Sequence, residues 1–468
     1  MAQFKWLICA SFSTVRIRGR RLVSFPFQAW YNKHWCRSIY CAQPSFQGSL
    51  QACPRSPFTL VLPDNLNVEH TTFQGLGIKP PLCNALKREG ITDPTLIQCE
   101  ALPLVLQRRN CIIHSETGTG KTLTFLLPAI QDVIPGLSTV ILVPTRELAI
   151  QMHYQATKLD GGRRNSRRIY ALFSGVDEQA TMQEYKDINP HILIATPRRM
   201  LQLVETNSKD FSNLRRLVLD EVDKILLPLS KHASAKKKVI RETHPRPGHL
   251  VVKQLLSLPT NRRLQLICAS ATANRVLQEE LIELGWGAGA ELISTTATKL
   301  ALPNSIEHQY IFNPDQEEMD KLETLVKHFR SSREKSALVF IHRGASISKF
   351  VSELTEKGVK ATALYAETLT LGEYPQFLDN FKSGRVQLVV GTEETVRGLD
   401  FTWLNTVYLM EVPRNANEYL HLCGRVGRLG SSGRAVVLVS GDQELRRLML
   451  QYRSLQVEGK IDPVQVNP

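Results

Sequence analysis

The stretch Leu217 to Leu226, "LVLDEVDKIL", sets three carboxylates, Asp220, Glu221 and Asp223, behind a run of aliphatic residues. Three chemistries fit. Acids often follow strands and cap helices, so a solvated turn is one. Asp-Glu-Val-Asp is also a tetrapeptide that caspases prefer. In a nucleotide-driven motor, one acid holds Mg²⁺ while its neighbour orients the attacking water. Only that third chemistry requires a phosphate-cradling loop upstream.

Such a loop is present. Ser115, Glu116, Thr117, Gly118, Thr119, Gly120, Lys121 and Thr122 form "SETGTGKT", between the strand-like "NCIIHS" and the helix-like "TLTFLLPAIQDVI". Gly118 and Gly120 let backbone N–H groups turn inward around phosphate oxygens, Lys121 reaches the β and γ phosphates, and Thr122 can ligate Mg²⁺. Ser115 stands where the strict pattern has glycine. Asp220 then acts through Mg²⁺ and Glu221 as the water-polarising base. The expected cofactors are ATP and Mg²⁺. Cleavage after Asp223 is disfavoured, because Lys224 occupies the position where a small residue is preferred.

The elements that must hold these residues come in two series. "NCIIHS", "TVILVP", "RIYALFSG", "HILIATP", "RLVLDE" and "LQLICASAT" are apolar on both faces and alternate with helical patterns, which predicts a parallel α/β sheet. "SALVFIH", "KATALYA", "VQLVVGT", "TVYLMEV" and "GRAVVLVS" form a second such series. Two tandem α/β domains are expected, over 64–298 and 314–460, joined near Ala297 to Asn313 where Pro303 and polar residues break the periodicity.

With order and spacing laid out, residues from Phe73 to about Ser440 resemble the DEAD-box ATP-dependent RNA helicases of superfamily 2. The resemblance implies two RecA-like domains, each a parallel sheet flanked by helices. "GITDPTLIQ" makes Gln98 the adenine ligand, with Phe73 as the stacking aromatic. Pro144, Thr145 and Arg146 of "PTRELA", and Thr196, Pro197 and Arg198 of "ATPRRM", take the RNA backbone. Ser270 and Thr272 of "SAT" couple hydrolysis to strand separation. Asp400 of "RGLD" makes a ribose or interdomain contact, and Arg425 and Arg428 of "HLCGRVGR" approach the γ phosphate when the domains close. Singly, several of these have plainer readings: Thr145 can be a helix cap, and Arg425 and Arg428 a solvated face.

The chain departs from the family pattern in places. Val222 replaces Ala, Arg198 replaces Gly, Gly175 stands alone where a Gly pair is usual, and Glu393 replaces Asp. Leu371 and Tyr374 occupy the places of a Gln and Arg pair, and Leu422 replaces an Arg. The ATP-facing residues are kept, while RNA-facing and interdomain positions differ. The expected activity is RNA-stimulated ATP hydrolysis with RNA remodelling, and the alternative is an RNA-binding assembly factor that uses ATP as a latch.

Composition adds a location and a partner. The chain has 468 residues and a net charge of +14, which favours an anionic partner. Residues 1–63 hold eight Lys or Arg and no acid before Asp64, the pattern of an organellar import leader. A mitochondrial matrix protein is expected. Nine scattered cysteines without CxxC spacing suit a reducing compartment. No apolar run is long enough to span a bilayer, so no membrane insertion is expected. Residues 228–250 form an insert after the acidic motif; Leu227 to His249 carries six Lys or Arg against Glu242 alone. It is either a solvated loop or an extra RNA or ribosome contact. The expected partner is RNA, held through its sugar-phosphate backbone by a monomer, with mitochondrial ribosomal RNA as the specific expectation.

Overall fold

A computed structural model of the chain describes residues 59–61, 71–457 and 462–463, apart from 117, 162–167, 176, 231, 259–263, 273, 287–288, 296–304, 314–317, 333, 365–369, 397–400, 402 and 428–431. Thr117, Asp400, Arg428 and all but three residues of the expected leader lie outside the described residues.

The first sheet is built from β1 (Thr59–Val61), β2 (Cys111–His114), β3 (Thr139–Leu142), β4 (Ile169–Leu172), β5 (Ile192–Ala195), β6 (Arg216–Asp220), β7 (Gln265–Ser270) and β8 (Glu291–Ser294). Its order is β1-β8-β2-β7-β6-β3-β5-β4, with every pairing parallel. All residues of β3, β4, β5, β6 and β7 are buried, as expected for strands covered by helices on both faces. Each parallel crossover returns the chain across a helix. The loops that follow the strands therefore gather at one edge of the sheet, where open α/β sheets bind ligands.

The second sheet comprises β9 (Ile306–Asn313), β10 (Ala337–Phe340), β11 (Ala361–Ala363), β12 (Leu388–Gly391), β13 (Thr406–Leu409), β14 (Gly433–Ser440) and β15 (Asp462–Pro463). Its order is β11-β12-β10-β13-β14-β9-β15, again parallel.

Two expected boundaries move. The joining segment was expected to reach Asn313, but Ile306 to Asn313 pairs with β14 along its whole length. Glu307, His308 and Gln309 look like linker residues in sequence; in the strand, Ile306 and His308 turn inward while Glu307 and Gln309 are half-exposed. At the other end, Thr59–Val61 lies within the expected leader yet pairs with β8 as an edge strand.

The two domains touch through the helices Arg146–Leu159 and Tyr374–Lys382. Tyr154 and Tyr374 meet edge to face there, with ring centroids 5.5 Å apart and planes at 76°.

Candidate nucleotide and RNA site

The phosphate-type loop runs from the end of β2 to the helix Lys121–Gln131. Gly118 and Gly120 hold φ of 81° and 88°, the left-handed region that only glycine enters without strain. A Cβ at Gly120 would also lie 2.3 Å from Gln98 Nε2. Ser115, the departure from the strict pattern, is buried at the base of the loop. Its hydroxyl donates to Thr119 Oγ1 (2.8 Å) and accepts from Thr295 Oγ1 (2.9 Å). The side chain thus fastens the loop, a job that glycine could not do. Lys121 Nζ donates to the carbonyls of Ser115 (2.6 Å) and Glu116, so its ammonium lies against the inner wall of the loop.

Asp220 ends β6, and Glu221 follows in the left-handed region at φ 50°, a conformation that costs a non-glycine residue strain. That turn separates the strand from the short helix Val222–Leu226 and sets successive carboxylates in different directions. Asp220 accepts from the Glu221 N–H at 3.0 Å. Burial, helped by the Glu221 charge, pushes its carboxyl up to about 7, while Lys121 works the other way. A buried carboxyl under such repulsion is relieved by a nearby cation. The Asp220 carboxylate is a hard oxygen donor of the kind that holds Mg²⁺ beside phosphates, and its burial and repulsion fit such an ion.

The third acid has a different partner. Asp223 Oδ1 accepts from Ser270 Oγ at 2.8 Å, and Ser270 Oγ in turn accepts from the Thr272 N–H at 2.8 Å. Because Asp220 pairs in register with Ala269, adjacent parallel strands deliver the acidic motif and "SAT" to the same place. One hydrogen bond thus ties "SAT" to the acid two residues after Glu221.

Gln98 and Phe73, the residues expected at the adenine, are both buried. Gln98, 2% exposed, accepts from Thr95 N at 2.9 Å and donates to Gly120 O at 3.0 Å. Thr95 Oγ1 adds a bond to Thr119 O at 2.8 Å. The Thr95 and Gln98 capping box thus braces the phosphate-type loop. Phe73 is 3% exposed within the core, leaving almost no free ring face for stacking on a base.

The RNA residues divide likewise. Thr145 caps its helix by accepting from Leu148 N at 3.3 Å. Arg146 is 6% exposed, with its guanidinium 5.0 Å from the Phe173 ring centroid. Its Nη1 donates to Ser174 O (3.3 Å) and Gly175 O (3.4 Å). In this structure it supports the loop after β4. Gly175 holds φ of 90°, the left-handed region that accounts for glycine there. Pro144, Thr196 and Pro197 are half-buried and Arg198 is exposed. Thr196 Oγ1 is a buried atom with no hydrogen-bond partner among the described residues.

In the second domain, Arg425 is buried and its Nε donates to His421 O at 3.1 Å. A cavity of about 270 Å³ opens at the C-terminal ends of β10, β12 and β13, lined by Arg343, Thr392, Glu393, Arg414 and Leu422 among others. Two of the departures, Glu393 and Leu422, are in its wall.

Comparison with known proteins accords with this geometry. Residues 95–279 match the DEAD/DEAH box helicase model, and residues 320–430 match the helicase conserved C-terminal domain. An ATP-dependent RNA helicase dbp8 of Emericella nidulans is 30% identical over 409 residues, covering 83% of this chain and 74% of that protein. The chain belongs to the DEAD-box family of ATP-dependent RNA helicases. Among other members, the DEAD-box helicase CshC of Bacillus cereus is 28% identical, covering 80% of this chain and 89% of its own length. The tandem fold is that of Saccharomyces cerevisiae Dbp5 bound to RNA and ADP BeF3, with a TM-score of 0.67, 23% identity, and coverage of 85% of this chain and 96% of Dbp5. Mss116p bound to ssRNA and AMP-PNP gives a TM-score of 0.69 at 22% identity, with coverage of 87% and 82%. As a DEAD-box protein the chain binds ATP and is an RNA-dependent ATPase. Among the described residues no helix is long and apolar enough to cross a membrane.

The sequence reading assigned no role to Thr95, Asp223 or Thr295. Thr95 was recoverable from its capping-box spacing to Gln98. Asp223 and Thr295 find their partners only through the pairing of β6 with β7 and of β2 with β8.

Proposed function

We propose that this helicase remodels RNA inside the mitochondrial matrix, gripping the sugar-phosphate backbone and drawing on ATP hydrolysis at the loop and acids of the first domain. The observation that carries the catalytic reading is the joint placement of Asp220, Glu221 and Asp223 on a strained turn, with Asp223 tied to Ser270. Thr122 and Asp220 would hold Mg²⁺, which supplies charge neutralisation at the phosphates. Glu221 orients the attacking water. Arg425 and Arg428 supply positive charge from the second domain where the transition state is most anionic.

The acid-free leader supports mitochondrial import. The net charge and basic insert support ribosomal RNA as the substrate, with the protein acting as a monomer during mitochondrial ribosome assembly. A second reading, an ATP-latched RNA-binding assembly factor with little unwinding, is favoured by Arg198, Glu393, Tyr374 and Leu422, all at positions that face RNA or the other domain in the family pattern.

Phosphate release with and without single-stranded RNA separates the two readings. The remodelling reading expects strong stimulation by RNA and displacement of a short duplex; stimulation without displacement favours the latch. Fusing residues 1–63 to a fluorescent reporter tests import, and a diffuse cytosolic signal would remove the matrix assignment.

A further inference from the structure

Two helices follow the acidic motif, Ala235–Thr243 inside the insert and Pro247–Ser257, which begins at its end. The second is an ordinary part of the domain: Val251, Val252 and Leu255 are buried, and it packs on the helix Pro197–Thr206. The first buries none of its residues. A nine-residue helix is unstable in water by itself, so its mount must come from outside its own length.

That mount is one carboxylate. Glu280 Oε2 accepts from Leu229 N at 3.2 Å, and Oε1 meets Arg241 Nη2 at 3.4 Å and His249 Nε2 at 2.5 Å. The start, middle and end of the insert are thus pinned at a single point. Arg241 also donates to the carbonyls of Leu226, at 2.9 Å, and Leu227. Glu280 belongs to the helix Arg275–Glu283, which closely follows "SAT". The basic helix is therefore anchored to the segment that follows the acidic motif and to the helix that follows "SAT".

With Arg241 turned inward, Lys236, Lys237, Lys238 and Arg246 remain exposed and make no ion pair among the described residues. Three successive lysines fan over about 200° of helix surface, more than one flat protein face can contact. A flexible phosphate chain can curl around them. Val239 and Ile240 are exposed at 55% and 50%, but no large apolar residue lies one turn away on either side. The helix thus lacks the apolar stripe that a protein groove would take. The second helix, which follows it directly, is the one that packs on the helix Pro197–Thr206, whose first turn carries Arg198.

We propose that the insert is a second RNA grip, in which Lys236, Lys237, Lys238 and Arg246 contact backbone phosphates and Glu280 acts as the positioning residue that holds them in place. The proposal rests on the RNA-remodelling reading above and adds a surface to it.

The test is the salt dependence of binding to a fluorescent single-stranded RNA in the presence of AMP-PNP, for the full chain and the Lys236→Gln, Lys237→Gln, Lys238→Gln triple variant. Loss of three phosphate contacts is expected to reduce the slope of log K against log salt by about 2, with an unchanged thermal midpoint as the check on folding. Glu280→Gln keeps every lysine but loosens the mount, and is expected to weaken binding severalfold with the slope retained. A parent slope equal to that of the triple variant overturns the phosphate grip and leaves an acidic protein partner as the explanation of the lysines. Glu280→Gln binding as tightly as the parent overturns the positioning role. A parent that binds no RNA at any salt overturns the RNA reading itself.

Discussion

The two domains share a fold but place their buried polar groups differently. In the first, Gln98, Ser115, Asp220 and Ser270 are buried at the C-terminal edge of the sheet or against the loop there, and they bond to one another's segments. In the second, buried histidines and tyrosines bond to one another within the core. His308 Nδ1 lies 2.7 Å from Tyr419 Oη, which donates to Tyr452 Oη at 3.2 Å, and His328 Nδ1 lies 2.9 Å from Tyr408 Oη. The first sheet joins the segments at its C-terminal edge through such bonds, and the second carries a histidine and tyrosine network inside its core. The family departures Glu393, Tyr374 and Leu422 fall in the second domain, and Gly175, Arg198 and Val222 in the first.

The largest expected effect breaks the first half of the comparison. Glu221→Gln keeps the size and turn of the side chain but cannot accept a proton, so RNA-stimulated turnover should fall by about 10²- to 10⁴-fold while ATP still binds and RNA is held. Phosphate release at the parental rate would remove Glu221 from the chemistry. Lys121→Ala should act earlier, at binding: it removes the ammonium that lines the loop through Ser115 and Glu116. A direct ATP titration matching the parent would take the loop out of the nucleotide site.

The same contrast explains what could be read from sequence. The alternation of apolar runs announced both sheets, because a parallel strand covered on two faces has no other way to be buried. The loop glycines and Asp220 were legible because their chemistry is local to a few residues. The contacts that Gln98 and Arg146 make inside the protein are not legible in this way: the first braces Gly120 and the second lies over Phe173. Their partners are 22 and 27 residues away in sequence, and no spacing rule reaches that far. His308 looked like linker for the complementary reason: a polar residue on a core face defeats a pattern that equates polar with exposed.

His308 also gives the comparison a pH signature. Burial lowers its pKa from 6.5 to about 4. Above pH 6.5 both folded and unfolded chains hold it neutral, and its contribution to stability is fully present. Between 6.5 and about 4 the unfolded chain takes up a proton that the folded domain refuses, so acidification should cost the second domain roughly 3 kcal/mol. Asp220, raised from 3.8 to about 7, carries the opposite sign: its folded form retains the proton, and its stabilising contribution is lost as pH rises through 7. Calorimetry at pH 7 and pH 5 should therefore show a larger acid shift in the second-domain transition than His308→Phe does. An equal shift in the variant would place the acid sensitivity elsewhere.

The smallest effect concerns the place where the two halves meet. Tyr374 is buried and stacks on Phe377, which stacks on Phe381; that ring packs edge-on against Phe401, the residue after the "RGLD" motif. Tyr154 completes the series from the first domain, with Lys158 Nζ 5.1 Å from its ring centroid. An edge-to-face pair contributes about 0.5–1.5 kcal/mol beyond its buried area, enough to change a docked-to-undocked ratio by up to about tenfold. Removing Tyr374 would also disturb the stack beneath it, so the cleaner variant is Tyr154→Ala, whose ring is only half-buried. Fluorescence energy transfer between dyes on the two domains, without ATP or RNA, should fall in this variant, and saturating ATP with RNA should restore it. Were transfer the same with and without the Tyr154 ring, the pair would be contact without consequence, and closure would rest on nucleotide and RNA alone.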